Sequence, residues 1–427
     1  MKTSLKIRWR IPVSLLLVSL AVLSAGTAGA IPAFTRKYKT SCSTCHYAFP
    51  QLNAFGKAFR NNGYRYPGGD ENFRKEDPVE LGSEAYKRVW PDAIWPSDIP
   101  ATGPFAIHAI GRYNMSFNQP DTVANNTFEF PHEVELLYGG TIGQEVSFFG
   151  EVEFETEGDE IEIAFPFRLE INHRRAFNVS LGSQTIDPTP NHMRLTRTKY
   201  NVSTLKSRNQ WRLEDGQSGM QLWGAGNGSG GKGGWKYGAG IVNGQGVVDA
   251  NRDKDVFVGM TYKIGGLGEI GGTEGQASET SAFYRDNSLT IGGLLYSGRE
   301  AGATVAEKED LTVLLGTADF WYARLIVNGS ILSMKSDIAG LSDRKSLAWY
   351  AQGQYVLYPW LIGIARLEST DSNTDDATAA RTTLVPAVVG MLRANVKFTL
   401  DYKRPISDYD LRKAAEEGFT AQANFSF

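Results

Sequence analysis

Phe105-Ala106-Ile107-His108-Ala109-Ile110-Gly111-Arg112-Tyr113-Asn114-Met115-Ser116-Phe117 alternates along its whole length. Phe105, Ile107, Ala109, Gly111, Tyr113, Met115 and Phe117 share one parity; His108, Arg112, Asn114 and Ser116 share the other. A period of two belongs to an extended strand, whose successive side chains point to opposite faces. The pattern recurs at Val146, Phe148, Gly150, Val152 and Phe154, then at Ile161, Ile163, Phe165, Phe167, Leu169 and Ile171. It closes the chain at Val396, Phe398, Leu400 and Tyr402 and at Phe419, Ala421, Ala423, Phe425 and Phe427. Gly, Asn, Asp and Pro clusters separate the segments. A soluble sandwich would not need so many aromatic residues on its exposed faces, nor so many strands in one domain. The pattern therefore predicts an all-β chain with a small α segment: an antiparallel transmembrane β-barrel of about 16 to 18 strands over residues 104–427.

With the first strand rising from the periplasm, the links sort by length. Tight ones such as Asp286-Asn287, Tyr358-Pro359 and Arg393-Ala394 fall on one side; longer polar ones at 184–217, 298–310, 329–344, 369–380 and 403–416 fall on the other. Short periplasmic turns, long outer loops and a last strand ending on an aromatic residue resemble bacterial outer-membrane barrels. The parity opposite the apolar one places Glu129, Glu133, Glu135, Glu151, Glu153, Glu155, Glu160, Glu162 and Glu170 inside, on three neighbouring strands. Such a wall concentrates cations unless Arg168 and nearby lysines neutralise it. His132 falls on the lipid-facing parity and His173 in a turn.

At the other end, Lys2, Lys6, Arg8 and Arg10 precede the apolar run Ile11–Leu23 and the small-residue site Ala28-Gly29-Ala30. The run is too short to span a bilayer and ends in a cleavage site, so residues 1–30 read as a secretory signal peptide. Its removal leaves 40 basic residues against 47 acidic ones, a formal charge of −7. That balance offers no basic face for nucleic acid. No later apolar run reaches the length of a spanning helix, which leaves strands as the means of crossing a membrane.

The only two cysteines of the 427 residues stand in Cys42-Ser43-Thr44-Cys45-His46. This is the C-x-x-C-H attachment motif of haem c: two thiols at this spacing add to the two vinyl groups of one porphyrin, and the adjacent His46 is held as proximal iron ligand. A thioredoxin-like site would need a βαβ context that the surroundings do not supply. Phe49, Leu52, Phe55, Ala58 and Phe59 follow at helical spacing, with Gly63 as a stop. The segment 31–66 is too short to enclose a haem alone and must borrow walls from the rest of the chain. A polar linker, 67–103, with Trp90 and Trp95, joins it to the barrel.

Between Tyr47 and Pro100 there is no His and no Met, so a strong distal ligand would come from beyond residue 100. His108, on the inward parity near the periplasmic end of the first strand, is the candidate. His192 and Met193 are the alternatives if their long loop folds inward.

Ile31-Pro32-Ala33-Phe34-Thr35-Arg36-Lys37-Tyr38, the haem motif, Phe49-Pro50-Gln51-Leu52-Asn53-Ala54-Phe55-Gly56-Lys57 and Asn62-Gly63-Tyr64 together resemble the fused monohaem cytochrome and porin family of outer-membrane iron oxidases. The resemblance is specific over the first 66 residues and architectural over the barrel. It implies one covalent haem c held by Cys42, Cys45 and His46. It also implies an iron(II) oxidase of the outer membrane of a Gram-negative bacterium, its haem inside the barrel or at its periplasmic face. Extracellular iron(II), or another redox-active metal, would be its donor and a periplasmic electron-carrier cytochrome its acceptor. Outward electron transfer to an extracellular acceptor and a porin-like solute channel with a structural haem plug are the other readings open at this point.

Overall fold

A computed structural model describes residues 33–73, 75, 79–80, 98–99, 105–117, 119, 124–142, 145–157, 160–184, 186, 194–244, 252–272, 284–302, 308–407 and 417–426. Residues 1–30, read above as a signal peptide, most of the segment 67–103, His192 and Met193, and Phe427 lie outside the described residues. Sixteen antiparallel strands close into one barrel. They are β1 (Phe105–Ser116), β2 (Asn126–Ile142), β3 (Val146–Glu157), β4 (Glu160–Ala164 continued by Phe167–Arg174), β5 (Phe177–Gln184), β6 (Gln217–Asn227), β7 (Lys232–Val242) and β8 (Asp255–Leu267). Then come β9 (Ser288–Glu300), β10 (Glu309–Tyr322), β11 (Leu325–Ile338), β12 (Arg344–Tyr358), β13 (Leu361–Asp371), β14 (Ala380–Arg393), β15 (Val396–Pro405) and β16 (Gly418–Ser426). Both halves of β4 pair with β3, on either side of an interruption at Phe165-Pro166. The ring shuts where β16 pairs with β1, Gly418 opposite Ser116 and Ser426 opposite His108.

The outer face is an apolar band: Val256, Val258, Met260, Tyr262 and Ile264 of β8 are each about half exposed. Phe105, Phe177, Tyr322, Tyr358 and Trp360 are exposed beside the short turns, an aromatic girdle at one rim. The links at 359–360 and 394–395 are tight, as expected. Two others differ from the sequence reading. Asp286-Asn287 is not a tight link but the end of an insertion between Leu267 and Ser288, where the Asp286 carboxylate accepts from Leu267 N at 2.8 Å. The outer loop placed at 329–344 shrinks to 339–343 because β11 continues to Ile338; Asn328 and Ser330, polar and turn-like in sequence, are buried on the inward face.

The lumen is filled from both ends. From the long-loop end, residues 194–216 fold inward rather than outward. Tyr200, Val202, Leu205, Trp211 and Leu213 of this loop pack on Leu294, Tyr296, Leu311, Val313, Leu332 and Met334 of β9–β11. The inward parity of this part of the barrel is therefore apolar core, not a polar channel wall. Polar bonds fix the loop as well: Asn201 Nδ2 donates to Trp349 O at 3.1 Å and Ser369 O at 2.6 Å, and Trp211 Nε1 donates to Tyr296 Oη at 2.9 Å.

From the short-turn end comes the N-terminal segment, with helices α1 (Ala33–Tyr38) and α2 (Ala54–Asn61) flanking a 3-10 turn at Cys42–Thr44 and a small ladder of His46–Ala48 with Gln51–Leu52. Its own core is Tyr38, Phe55, Phe59 and Tyr64. Gly63 follows α2 with φ of 64°, the left-handed stop that its position predicts. Tyr47 Oη donates to Gln354 Oε1 at 2.8 Å, Arg65 donates to Val146 O at 2.8 Å and Lys57 Nζ lies 3.0 Å from the buried Asp319 carboxylate. The same carboxylate accepts from Trp321 Nε1 at 2.9 Å. The segment is thus a plug seated against the wall rather than a tethered domain.

Trp211 is 1% exposed and holds the inward loop. Trp211→Ala should cost about 3–5 kcal/mol of local stability. The expected result is rapid tryptic cleavage within 194–216 with the barrel strands still protected, read by mass spectrometry of the digest.

Candidate functional site

The stretch Phe49–Lys57 shapes the Cys42–His46 loop. Asn53 caps α2, its side chain accepting from Gly56 N at 2.9 Å, while its Nδ2 donates to Ser43 O at 3.2 Å and Thr44 O at 3.1 Å. Asn53 N donates to Cys45 O at 2.9 Å. One residue thus starts the helix and clamps the loop that carries both thiols. Gly56 is required by the same contact, because a Cβ there would lie 2.1 Å from Cys45 O. On the barrel side, Lys397 Nζ of β15 donates to Phe49 O at 2.7 Å.

Cys42 and Cys45 are free thiols, not a disulfide. Burial pushes Cys45 up to about 12, so it stays protonated at neutral pH. His46 Nδ1 donates to Pro50 O at 3.0 Å, which leaves the Nε2 lone pair as the ligand atom of the ring. Burial pushes His46 down to about 4, against the opposing pull of that carbonyl, so the imidazole is neutral at physiological pH.

All three residues line one cavity of about 660 Å³ between the plug, the inward loop and the β1–β4 wall. That volume lies in the range of roughly 300–1,000 Å³ that accepts cofactor-sized molecules. Its plug side is aromatic, with Phe34, Tyr38, Phe49, Phe55, Phe59 and Tyr64. Lys397 and Arg194, which also line it, complement the two carboxylates that a haem carries. Donor set, tautomer, volume and apolar wall all fit a porphyrin tethered at Cys42 and Cys45.

His108 joins this cavity, as its parity predicts. The Phe49 ring contacts both imidazoles, 5.1 Å from His46 and 5.0 Å from His108 by ring centroids. His108 Nδ1 lies 2.9 Å from the Glu135 carboxylate, and its Nε2 is 3.3 Å from Asn424 Nδ2.

The acidic wall is present and tighter than an alternating pattern suggests. Glu133 stands opposite Glu155 and Glu135 opposite Glu153 in the β2–β3 ladder. Arg112 neutralises Glu129 at 2.6 Å and Arg168 neutralises Glu170 at 2.7 Å, while Glu162 is exposed. Arg194, Arg197 and Lys199 of the inward loop line the cavity together with Glu133, Glu135 and Glu151.

His132 corrects the sequence reading: it faces the lumen and is 4% exposed. Ile110 pairs with Glu133 but Arg112 with Glu129, so Phe130, Pro131 and His132 all stand opposite Gly111. This bulge breaks the parity that had placed His132 toward lipid. Pro131 inside a strand was the available signal, since a proline there marks a bulge or an edge. His173 lies within β4, and the turn is formed by the next residues, Arg175 and Ala176.

No protein-family model and no curated protein matches the chain. Among solved structures it is similar to OmpT, an outer membrane protein of Vibrio cholerae, at 10% identity and a TM-score of 0.52, over 76% of this chain and 99% of that one. OmpF of Salmonella typhi, solved in complex with daunomycin, matches at 9% identity and a TM-score of 0.52, covering 76% and 97%. An anion-selective porin from Comamonas acidovorans matches at 11% identity and a TM-score of 0.50, covering 76% and 100%. These likenesses establish the fold, that of an outer-membrane porin barrel.

His46 titrates well below its ordinary value of 6.5, so the fold prefers the neutral ring. Its contribution to holding the plug is complete above about pH 6.5 and is lost as pH falls toward about 4. Hydrogen exchange across 33–66 in haem-free protein should therefore accelerate through that window, and His46→Gln should flatten the dependence.

Proposed function

We propose that the chain is an outer-membrane c-type cytochrome that oxidises extracellular iron(II) and delivers the electron to a periplasmic cytochrome. The observation that carries this reading is the convergence of Cys42, Cys45 and His46 on one aromatic cavity inside a barrel whose lumen is filled by its own chain. Cys42 and Cys45 would hold the haem through thioethers, His46 would be its proximal ligand, and His108 is the proposed distal one. When bound there, the haem supplies a one-electron iron couple whose potential follows axial ligation and burial.

The protein's own residues do the rest. Asn53 and Gly56 fix the attachment loop, Lys397 ties that loop to β15, and the plug aromatics exclude water. The paired glutamates of β2 and β3 draw cations into the lumen from the long-loop side. Iron(II) leaves as iron(III), one electron poorer, and that electron ends on the periplasmic carrier. The direction follows from the potentials of the partners, so outward transfer would use the same residues.

A second reading is a solute channel plugged by the same segment. The likeness to porin barrels favours it.

The two readings give opposite results with purified full-length protein. The electron-transfer reading expects covalent haem on a denaturing gel, lost in Cys42→Ser/Cys45→Ser. It also expects rapid haem reduction by iron(II) in anaerobic stopped flow and little conductance in a planar bilayer. Open-channel conductance indifferent to haem redox state, with no reduction by iron(II) across the working pH range, would establish the channel instead.

A further inference from the structure

The geometry points to a binding site for a divalent transition-metal ion formed by His132, Glu133 and Glu155 in the lumen wall of β2 and β3, bordering the cavity that His46 lines. One ligand atom from each of these residues lies within 4.8 Å of the others, and His108, Glu133 and Glu135 form a second such group that shares Glu133.

Three observations separate this site from a mere collection of acids. The first is the bulge. Without the extra residues at 130–132, His132 and Glu133 would point to opposite faces of the strand; the bulge turns both inward. Gly111 makes it fit, because a Cβ there would run into the Phe130 ring.

The second is the state of His132 itself. Its side chain is 5% exposed, and its Nδ1 pairs with a Glu129 carboxylate oxygen 3.0 Å away. Its Nε2 is 3.4 Å from Glu155. Arg112 already engages Glu129 at 2.6 Å, which removes that carboxylate from the set of available ligands. A carboxylate that holds one ring nitrogen leaves the other, here the Nε2 directed at Glu155, as the ligand atom.

The third is the ladder. Glu133 and Glu155 are directly opposite, a pairing of like charges that destabilises a sheet unless something stands between them. A divalent cation bound by both turns that repulsion into attraction.

The donor set selects the ion. One imidazole with carboxylates suits iron(II), manganese(II) or zinc(II), whereas soft copper(I) asks for sulfur and calcium for oxygen alone. Three protein ligands leave positions for water, and the Glu155 side chain is 44% exposed, so the ion can enter and leave. The site is thereby suited to an exchanging ion rather than a permanent one. Its role as the staging point for iron(II) rests on the electron-transfer reading; its ability to bind metal does not.

Manganese(II), which iron(II)-type sites accept, is the probe. Titration of full-length haem-loaded protein followed by electron paramagnetic resonance of free manganese should show a single saturable site. His132→Ala and Glu155→Gln should each weaken it by at least about tenfold. In anaerobic stopped flow, the same variants should raise the iron(II) concentration for half-maximal haem reduction by a similar factor. Glu155→Gln changes a half-exposed side chain and decides the matter alone if His132→Ala fails to fold by circular dichroism. Unchanged manganese affinity in a folded variant overturns the site, even where iron(II) still reduces the haem. Binding that depends on His132 or Glu155, in protein whose haem iron(II) does not reduce, upholds the site and overturns the oxidase reading.

Discussion

Everything in this molecule depends on the closing of one ladder of backbone hydrogen bonds. In hydrocarbon no water satisfies an exposed N–H or C=O, so an open sheet edge is ruled out and β16 must find β1. Closure creates an enclosed space, and the protein has filled it with its own chain. The inward loop contributes Trp211, Tyr200 and Leu205 to one apolar cluster; the plug contributes Tyr47 and Ala48 to another, with Trp321, Ile326 and Val356 of the wall. Leu195 of the loop belongs to that second cluster, so the two fillings share a core. Where they do not meet, a cavity remains, and the thiols of Cys42 and Cys45 line it.

Charge is distributed around this space unevenly. The plug meets the wall through isolated, well-bonded ions: Lys57 with Asp319, and Lys397 with Phe49 O. These set the position of the plug. On β2 and β3, by contrast, carboxylates face one another in register, an arrangement that costs stability. The first kind of contact holds the cavity in place. The second sets like charges side by side, with Arg194, Arg197 and Lys199 of the inward loop lining the same cavity.

The strands and the loop that carries Cys42, Cys45 and His46 were legible because each is a local signal. A period of two survives translation from sequence to surface, and Cys42-Ser43-Thr44-Cys45-His46 carries its own geometry. His108 was legible because no bulge lies between it and the start of β1. His132 was not: reading it correctly requires counting Pro131 and His132 as the extra residues, with Phe130 the one beside Gly111. The apolar inward face of β10 was equally hidden. Leu311, Val313 and Leu315 look like a second lipid-facing parity until the loop that covers them, about a hundred residues earlier, is in place. Ser330 and Ser336 misled for the mirror reason, since a lumen accepts polar residues that would mark a turn in a soluble protein. Asn53 and Gly56 stood in the quoted motif, but what each does there emerges only from the contacts with Cys45.

The position of Cys42 and Cys45 also constrains how the protein is made. Both thiols sit behind a continuous wall of strands, on a plug bonded to β10, β12 and β15. An enzyme that joins a cofactor to those sulfurs is itself a folded protein and cannot enter a finished barrel. On the proposed reading, the attachment would have to precede the moment at which β16 meets β1, and a chain that zipped shut too early would stay unmodified. Haem attachment at these sulfurs would thus give biogenesis an obligatory order, with the interval before barrel closure as part of the working design.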